Sequence, residues 1–237
     1  MIDFLKSCDR YQLSARVAPG VLCAFPAVLL VLMARNSEVL GDIVSGVWSW
    51  VSAAGVSGLI VIGAILYLSS LGKRYEDLIF DKGLKMPTTE RLLWSNRESS
   101  DMLKRKVRSN LKADFGITLP NREAERNDEH ASRVAIRDAV ARIRLRIGKG
   151  TWVHERNIRY GFMRNLAAGA RISLALSIVG IGLAAWMRNS IYLALFTAMS
   201  ISYSAAMRTG RRIIVCNGEH YAEQLLNEYA ENGGKGR

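Results

Sequence analysis

The 237 residues suffice for one or two domains. Thirty-three Lys and Arg against 21 Asp and Glu leave a net charge of +12, and the mean hydropathy of +0.07 hides apolar and charged blocks kept apart along the chain. Such a cation points to anionic partners, phosphate foremost, while Cys8, Cys23 and Cys216, far apart and without metal-ligand spacing, speak against a disulfide scaffold.

Residues 1–71 hold the first two apolar runs. Residues 17–34 contain no charge, and 43–71 give 29 more uncharged residues, with Trp48 and Trp50 near their start. About 20 apolar residues cross the hydrocarbon core, so both predict membrane-spanning helices. Lys6, Arg10 and Arg16 also fit the n-region of a signal peptide, but the apolar run is too long for one and no small-x-small site follows cleanly. We read it as an uncleaved span.

Residues 72–165 carry 22 Lys and Arg against 13 Asp and Glu, and their periodicity is helical. Thr88 or Thr89 caps a predicted helix to about Phe115, with Leu103, Val107, Leu111 and Phe115 in one row and Lys104, Arg108 and Lys112 in the next. Pro120 breaks the chain and Asn121 caps the following helix. There Ile136, Val140, Ile143 and Ile147 form an apolar stripe, Arg133 and Arg137 stack beside it, and Arg142 and Arg146 make a further pair. The alternation from Arg142 through Arg144 to Ile147 also fits a strand ended by Gly148-Lys149-Gly150; the longer 3.6 period favours helix. Thr151 then caps a helix continuing into the third span.

That span, 166–187, contains one charge, Arg171, which either snorkels to the interface or stands at a pore mouth. A tight connection at 188–190 leads to the fourth, uncharged span, 190–207. The tail, 208–237, predicts a short acidic helix from a capping Asn217 to Glu231, with Tyr221, Leu225 and Tyr229 on one side and disorder from Gly233. Acidic residues on a basic protein suggest self-association, within the chain or between subunits. The basic residues flanking the spans predict that both termini and the middle segment are cytoplasmic. The fold class expected is an all-α membrane protein: four spans, with a basic helical cytoplasmic domain between the second and third.

No catalytic constellation stands out. His130, His154 and His220 are scattered, and phosphate-loop, nucleophile-elbow and dinucleotide fingerprints are missing. We therefore expect no enzyme, no cofactor and no metal site. The candidate phosphate ligands are Lys104, Arg108, Lys112, Arg133, Arg137, Arg142, Arg144 and Arg146; the competing reading is a solvated face that meets anionic lipid. Trp94, Phe115, Trp152 and Tyr160 are the aromatics available for stacking on bases. In the fourth span Thr197, Ser200 and Ser204, followed by Arg208, are candidate pore-lining residues. Small residues at helical spacing, such as Gly169, Ser173, Ser177 and Gly180, equally serve close helix packing, with hydroxyls as glue.

The stretch "RNIRYGFMRNLAAGARISLALSIVGIGLAAWMRNSIYLALFTAMSISYSAAMRTGRR", followed by "NGEHYAEQLLNEYAE", resembles the SLATT-type two-span effector domain of bacterial anti-phage systems, and effectors of the Hailong type in particular. The resemblance covers about the last 90 residues; the first two spans are additional to it. It implies a homo-oligomeric ion channel (such as a tetramer) of the bacterial inner membrane, opened by an anionic nucleotide or short oligonucleotide and depolarising the infected cell. It also implies a nucleotidyltransferase encoded nearby as source of the signal. The residues themselves leave open a non-conducting membrane scaffold and, less favoured, a membrane enzyme acting on lipid or nucleotide.

Overall fold

The computed structural model describes residues 12–35, 53–147 and 152–233. Every regular element there is a helix: α1 (Ala18–Arg35), entered by a π-helical turn at Leu13–Val17, α2 (Ala53–Ile79), α3 (Pro87–Glu90), α4 (Asp101–Phe115), α5 (Arg122–Asn127), α6 (Glu129–Ile147), α7 (Trp152–Trp186) and α8 (Ser190–Asn232). Four helical stretches are long and apolar enough to cross a membrane: Leu13–Arg35, Gly55–Ile79, Val153–Trp186 and Ser190–Asn232. The chain is thus all-helical among the described residues, and compatible with a multi-pass membrane protein. Trp48, Trp50, Thr151 and the 148–150 turn lie outside the described residues. The chain divides into two compact units, Met1–Tyr75 with Gly161–Arg211, and Glu76–Tyr160 with Arg212–Arg237.

The first, apolar unit is built around two prolines. Pro19 and Pro26 lack the N–H that would reach back four residues, which frees the carbonyls of Ala15 and Leu22. In an apolar surrounding those carbonyls need donors, and other helices provide them. Asn165, 1% exposed, donates to Ala15 O at 2.6 Å, and the Tyr203 hydroxyl donates to Leu22 O at 2.5 Å. Ser173 adds a bond to Cys23 O at 2.9 Å. Close approach between helices needs missing side chains: a Cβ at Gly169 would lie 2.6 Å from Cys23 Sγ, and one at Gly180 2.5 Å from the Phe196 ring. Leu29, Met33, Ala184 and Phe196 close one core cluster. Between α7 and α8 the chain turns at Met187–Asn189, with Arg188 left-handed (φ 52°) and Asn189 Oδ1 accepting from Tyr192 N–H as the cap of α8.

The second, polar unit has its own core. The α6 stripe read from the sequence is buried at Ile136, Val140 and Ile143, against Val107 and Leu111 of α4 and Tyr221, Leu225, Leu226 and Tyr229 of α8. Residues 142–147 are helical, which settles the strand alternative.

Three expectations are corrected. The helix expected from Thr88 or Thr89 to Phe115 is two helices, α3 and α4, separated by residues 91–100. Both threonines lie buried inside α3, Thr89 donating to Gly83 O at 3.1 Å, while Ser100 caps α4 by accepting from Leu103 N–H. Asn217 caps nothing: α8 runs straight through it, its amide donating to Ile213 O four residues back. Gly233, expected to begin a disordered tail, is buried and donates its N–H to Tyr229 O at 2.9 Å; residues 234–237 lie outside the described ones.

Candidate ligand site and hydroxyl-bearing helix

The candidate phosphate ligands separate by what they already hold. Lys104 is 1% exposed and donates to Asn96 O. Burial draws its ammonium below the ordinary value, partly offset by Asp101 and Glu125. Arg108 donates to Pro120 O at 2.6 Å and Leu92 O at 2.9 Å, and lies 4.4 Å over the Trp94 ring. Burial pulls it down to about 10, against the pull of Glu125. Arg133 pairs with Glu90 at 2.6 Å and Glu129 at 2.8 Å and donates to Leu84 O. Burial opposes its charge, but the two glutamates outweigh this and hold the guanidinium above its ordinary value. These three cations tie the unit together.

The other five are placed differently. Arg137 bonds its neighbour Asp138 at 2.8 Å, and Arg146 stands 3.8 Å from Asp114. Arg144 is exposed and lies 5.6 Å over the Tyr221 ring. Lys112 and Arg142 are exposed, with no ion pair among the described residues. A solvent-facing subset of Lys112, Arg142 and Arg144 therefore remains from the two basic helices.

Of the aromatics, Trp94 is covered by guanidinium groups, with Arg122 5.1 Å over its ring in addition to Arg108. Tyr160 is buried and donates to Glu76 at 3.0 Å, and Phe115 stays 36% exposed. Base stacking on Trp94 would have to displace an arginine.

A buried carboxylate, unremarked by sequence pattern, organises this region. Glu125 is 5% exposed and accepts from Trp94 N–H and Ser95 N–H, each at 2.8 Å. Asn96 Oδ1 accepts from the N–H groups of Glu98 and Ser99, and Trp94 Nε1 donates to Pro120 O at 3.2 Å. The tail is held by Arg91, 3.0 Å from Glu219 and 3.9 Å from Glu223. Asn110 Nδ2 donates to the carbonyls of Tyr229 and Ala230, near the end of α8 where helical N–H groups run out. Two of the acidic residues in the second half of α8, Glu219 and Glu223, are thus paired within their own chain. A Ser-Ser-Asp run at 99–101 was the available signal for the start of α4; Glu125 had none, because its partners are some thirty residues upstream.

In the apolar unit Gly169, Ser173, Ser177 and Gly180 are all buried. Ser177 donates to Ser173 O at 2.7 Å. On the fourth span, Thr197 is exposed, its hydroxyl donating to Leu193 O at 2.7 Å, and Arg208 is exposed. Ser204 is half-buried, and the Ser200 hydroxyl is buried without a hydrogen-bond partner. Thr197, Ser204 and Arg208 fall within a narrow arc at the helical period, with Ile201 between them. Arg171 is exposed, 5.5 Å over the Tyr75 ring. Among the described residues no group of His, Cys, Asp or Glu could hold a metal ion. Comparison with protein families, with curated proteins and with solved structures finds no match.

Proposed function

We propose that this chain is one protomer of a homo-oligomeric ion channel, opened by an anionic nucleotide or oligonucleotide bound at the basic unit. One observation carries the reading. The unbroken helix α8 presents Thr197, Ser204 and Arg208 in its first half and supplies the buried Leu225, Leu226 and Tyr229 in its second. A ligand bound at the polar unit would act through the same continuous helix that carries the hydroxyl row, as a gating device requires. Exposed hydroxyls on an apolar helix gain most from a wet path or from another helix, and a set of four helices encloses no pore without further copies. The positive charge around the spans favours cytoplasmic termini and a cytoplasmic polar unit. The likeness to nucleotide-signalled defence effectors supports a bacterial inner membrane and a role in depolarising infected cells.

The competing reading is a non-conducting anchor. It is favoured by the three cations, Lys104, Arg108 and Arg133, that are engaged inside the fold. Conductance of the purified protein in planar bilayers, with and without short oligonucleotides or cyclic nucleotides, separates the two. Ligand-dependent unitary currents are expected. Silence with every anionic ligand in a correctly inserted oligomer selects the anchor.

A further inference from the structure

The segment between α3 and α4 holds a feature outside the basic rows. Trp94, Arg97, Ser99, Ser100, Asp101 and Arg122 line an open cavity of about 480 Å³, a size that suits a small molecule. Its walls are fixed by the Glu125, Asn96 and Trp94 bonds described above, so the cavity is preorganised. Ser99 is 6% exposed, and its hydroxyl is buried without a hydrogen-bond partner, a state that buried polar groups rarely keep unless something supplies the missing bond. Arg97 is exposed and has no ion pair or hydrogen bond among the described residues. Arg122 pairs with Asp101 at the rim. Among the lining residues two cations, Arg97 and Arg122, stand against one carboxylate, Asp101. The α4 N-terminus adds the partial positive charge of its first turn.

We propose that this cavity binds a phosphate group, held by Arg97, by the Ser99 hydroxyl and by Arg122 shared with Asp101. The orphaned hydroxyl, the unspent guanidinium and the charge excess each call for an anion with several acceptor oxygens. Because the Trp94 ring is already covered, the site reads phosphate and not a base. That phosphate belongs either to a soluble nucleotide or to a lipid headgroup. The proposal deepens the ligand-gated reading and rests on it only for what binding does.

The test uses the full chain in nanodiscs of zwitterionic lipid, titrated calorimetrically with pyrophosphate and with a short oligonucleotide. A parallel arm measures recruitment of anionic phosphatidylglycerol vesicles. Arg97→Ala, which removes no internal contact, should weaken binding about ten- to a hundredfold. Ser99→Ala should weaken it several-fold without lowering Tm. Arg97-sensitive vesicle binding without soluble binding assigns the phosphate to lipid and keeps the site. If neither arm responds to Arg97→Ala, or if Ser99→Ala raises Tm and leaves affinity untouched, the site is overturned. Nucleotide-opened currents that survive Arg97→Ala would then leave the channel reading standing elsewhere. Arg97-sensitive binding without currents would keep the site and remove the gating.

Discussion

Tyr203 and Asn165 do for the first span what its own backbone cannot. Each proline removes one donor from the α1 ladder, and the freed carbonyl is met by a side chain some 150 to 180 residues away. Hydrogen bonds of this kind between helices are worth about 0.6 kcal/mol on average and up to about 2. Tyr203→Phe should therefore lower stability by about 1 kcal/mol, read by denaturant titration in mild detergent. Pro26→Ala restores an N–H that reaches Leu22 O, so in that background Tyr203→Phe should cost much less. Equal costs in the two backgrounds would mean that the hydroxyl is not replacing the missing proline donor. The prolines are plain in the sequence, and so is the need they create. Which distant side chain answers it is not, since Asn165, at the end of the basic middle segment, and Tyr203, in an apolar run, each have many alternative uses.

At the scale of elements, the polar unit shows where periodicity suffices and where it does not. The α6 stripe follows from a 3.6 spacing because each residue's environment is set by its own helix. The α3–α4 break escapes that logic. Thr88, Thr89 and the apolar row after them satisfy a helix start, but the chain leaves the helix so that Leu92 and Leu93 enter the core and the next two N–H groups reach Glu125. The competitor that wins is a tertiary contact. Glu125→Ala should leave two N–H groups unpaired at a cost of about 2–4 kcal/mol, while Glu125→Gln should retain part of the clamp. Amide exchange at Trp94 and Ser95 should speed up in the alanine variant, with α6 amides moving less. Exchange unchanged at those two amides would show that the loop stands without the carboxylate. Asn217 teaches the same lesson in reverse: a residue with strong capping preference is tolerated inside α8 because its amide finds Ile213 O.

For the molecule as a whole, the four apolar runs were legible from length and charge alone, since a bilayer imposes a length few other environments demand. Of the candidate site, the rows of cations were legible but their placement was not. Only packing separates Lys104, Arg108 and Arg133, engaged inside, from Lys112, Arg142 and Arg144, facing out. The proposed topology puts residues 42 and 189 outside and residues near Lys104 and Glu223 inside. Cysteines introduced at 42 and 189 should react with an impermeant reagent in intact cells, and protection at either would reverse the orientation. In the proposed channel the fourth span carries the test, and Thr197 is its most discriminating residue because it is exposed in the protomer while the Ser200 hydroxyl is buried. In a wet path, Thr197→Leu replaces a wettable group with an apolar one at a constriction and should abolish conductance with oligomer size preserved. In a packing role, the same change should weaken assembly by roughly 0.6 kcal/mol per lost bond, with conductance falling only as oligomers dissociate. Thr197→Val keeps the shape and removes only the hydroxyl, so it should reduce the unitary current if water contacts that oxygen. Single-channel recording paired with sizing of each variant decides the matter. Full conductance in an intact Thr197→Leu oligomer would take this helix out of the pore.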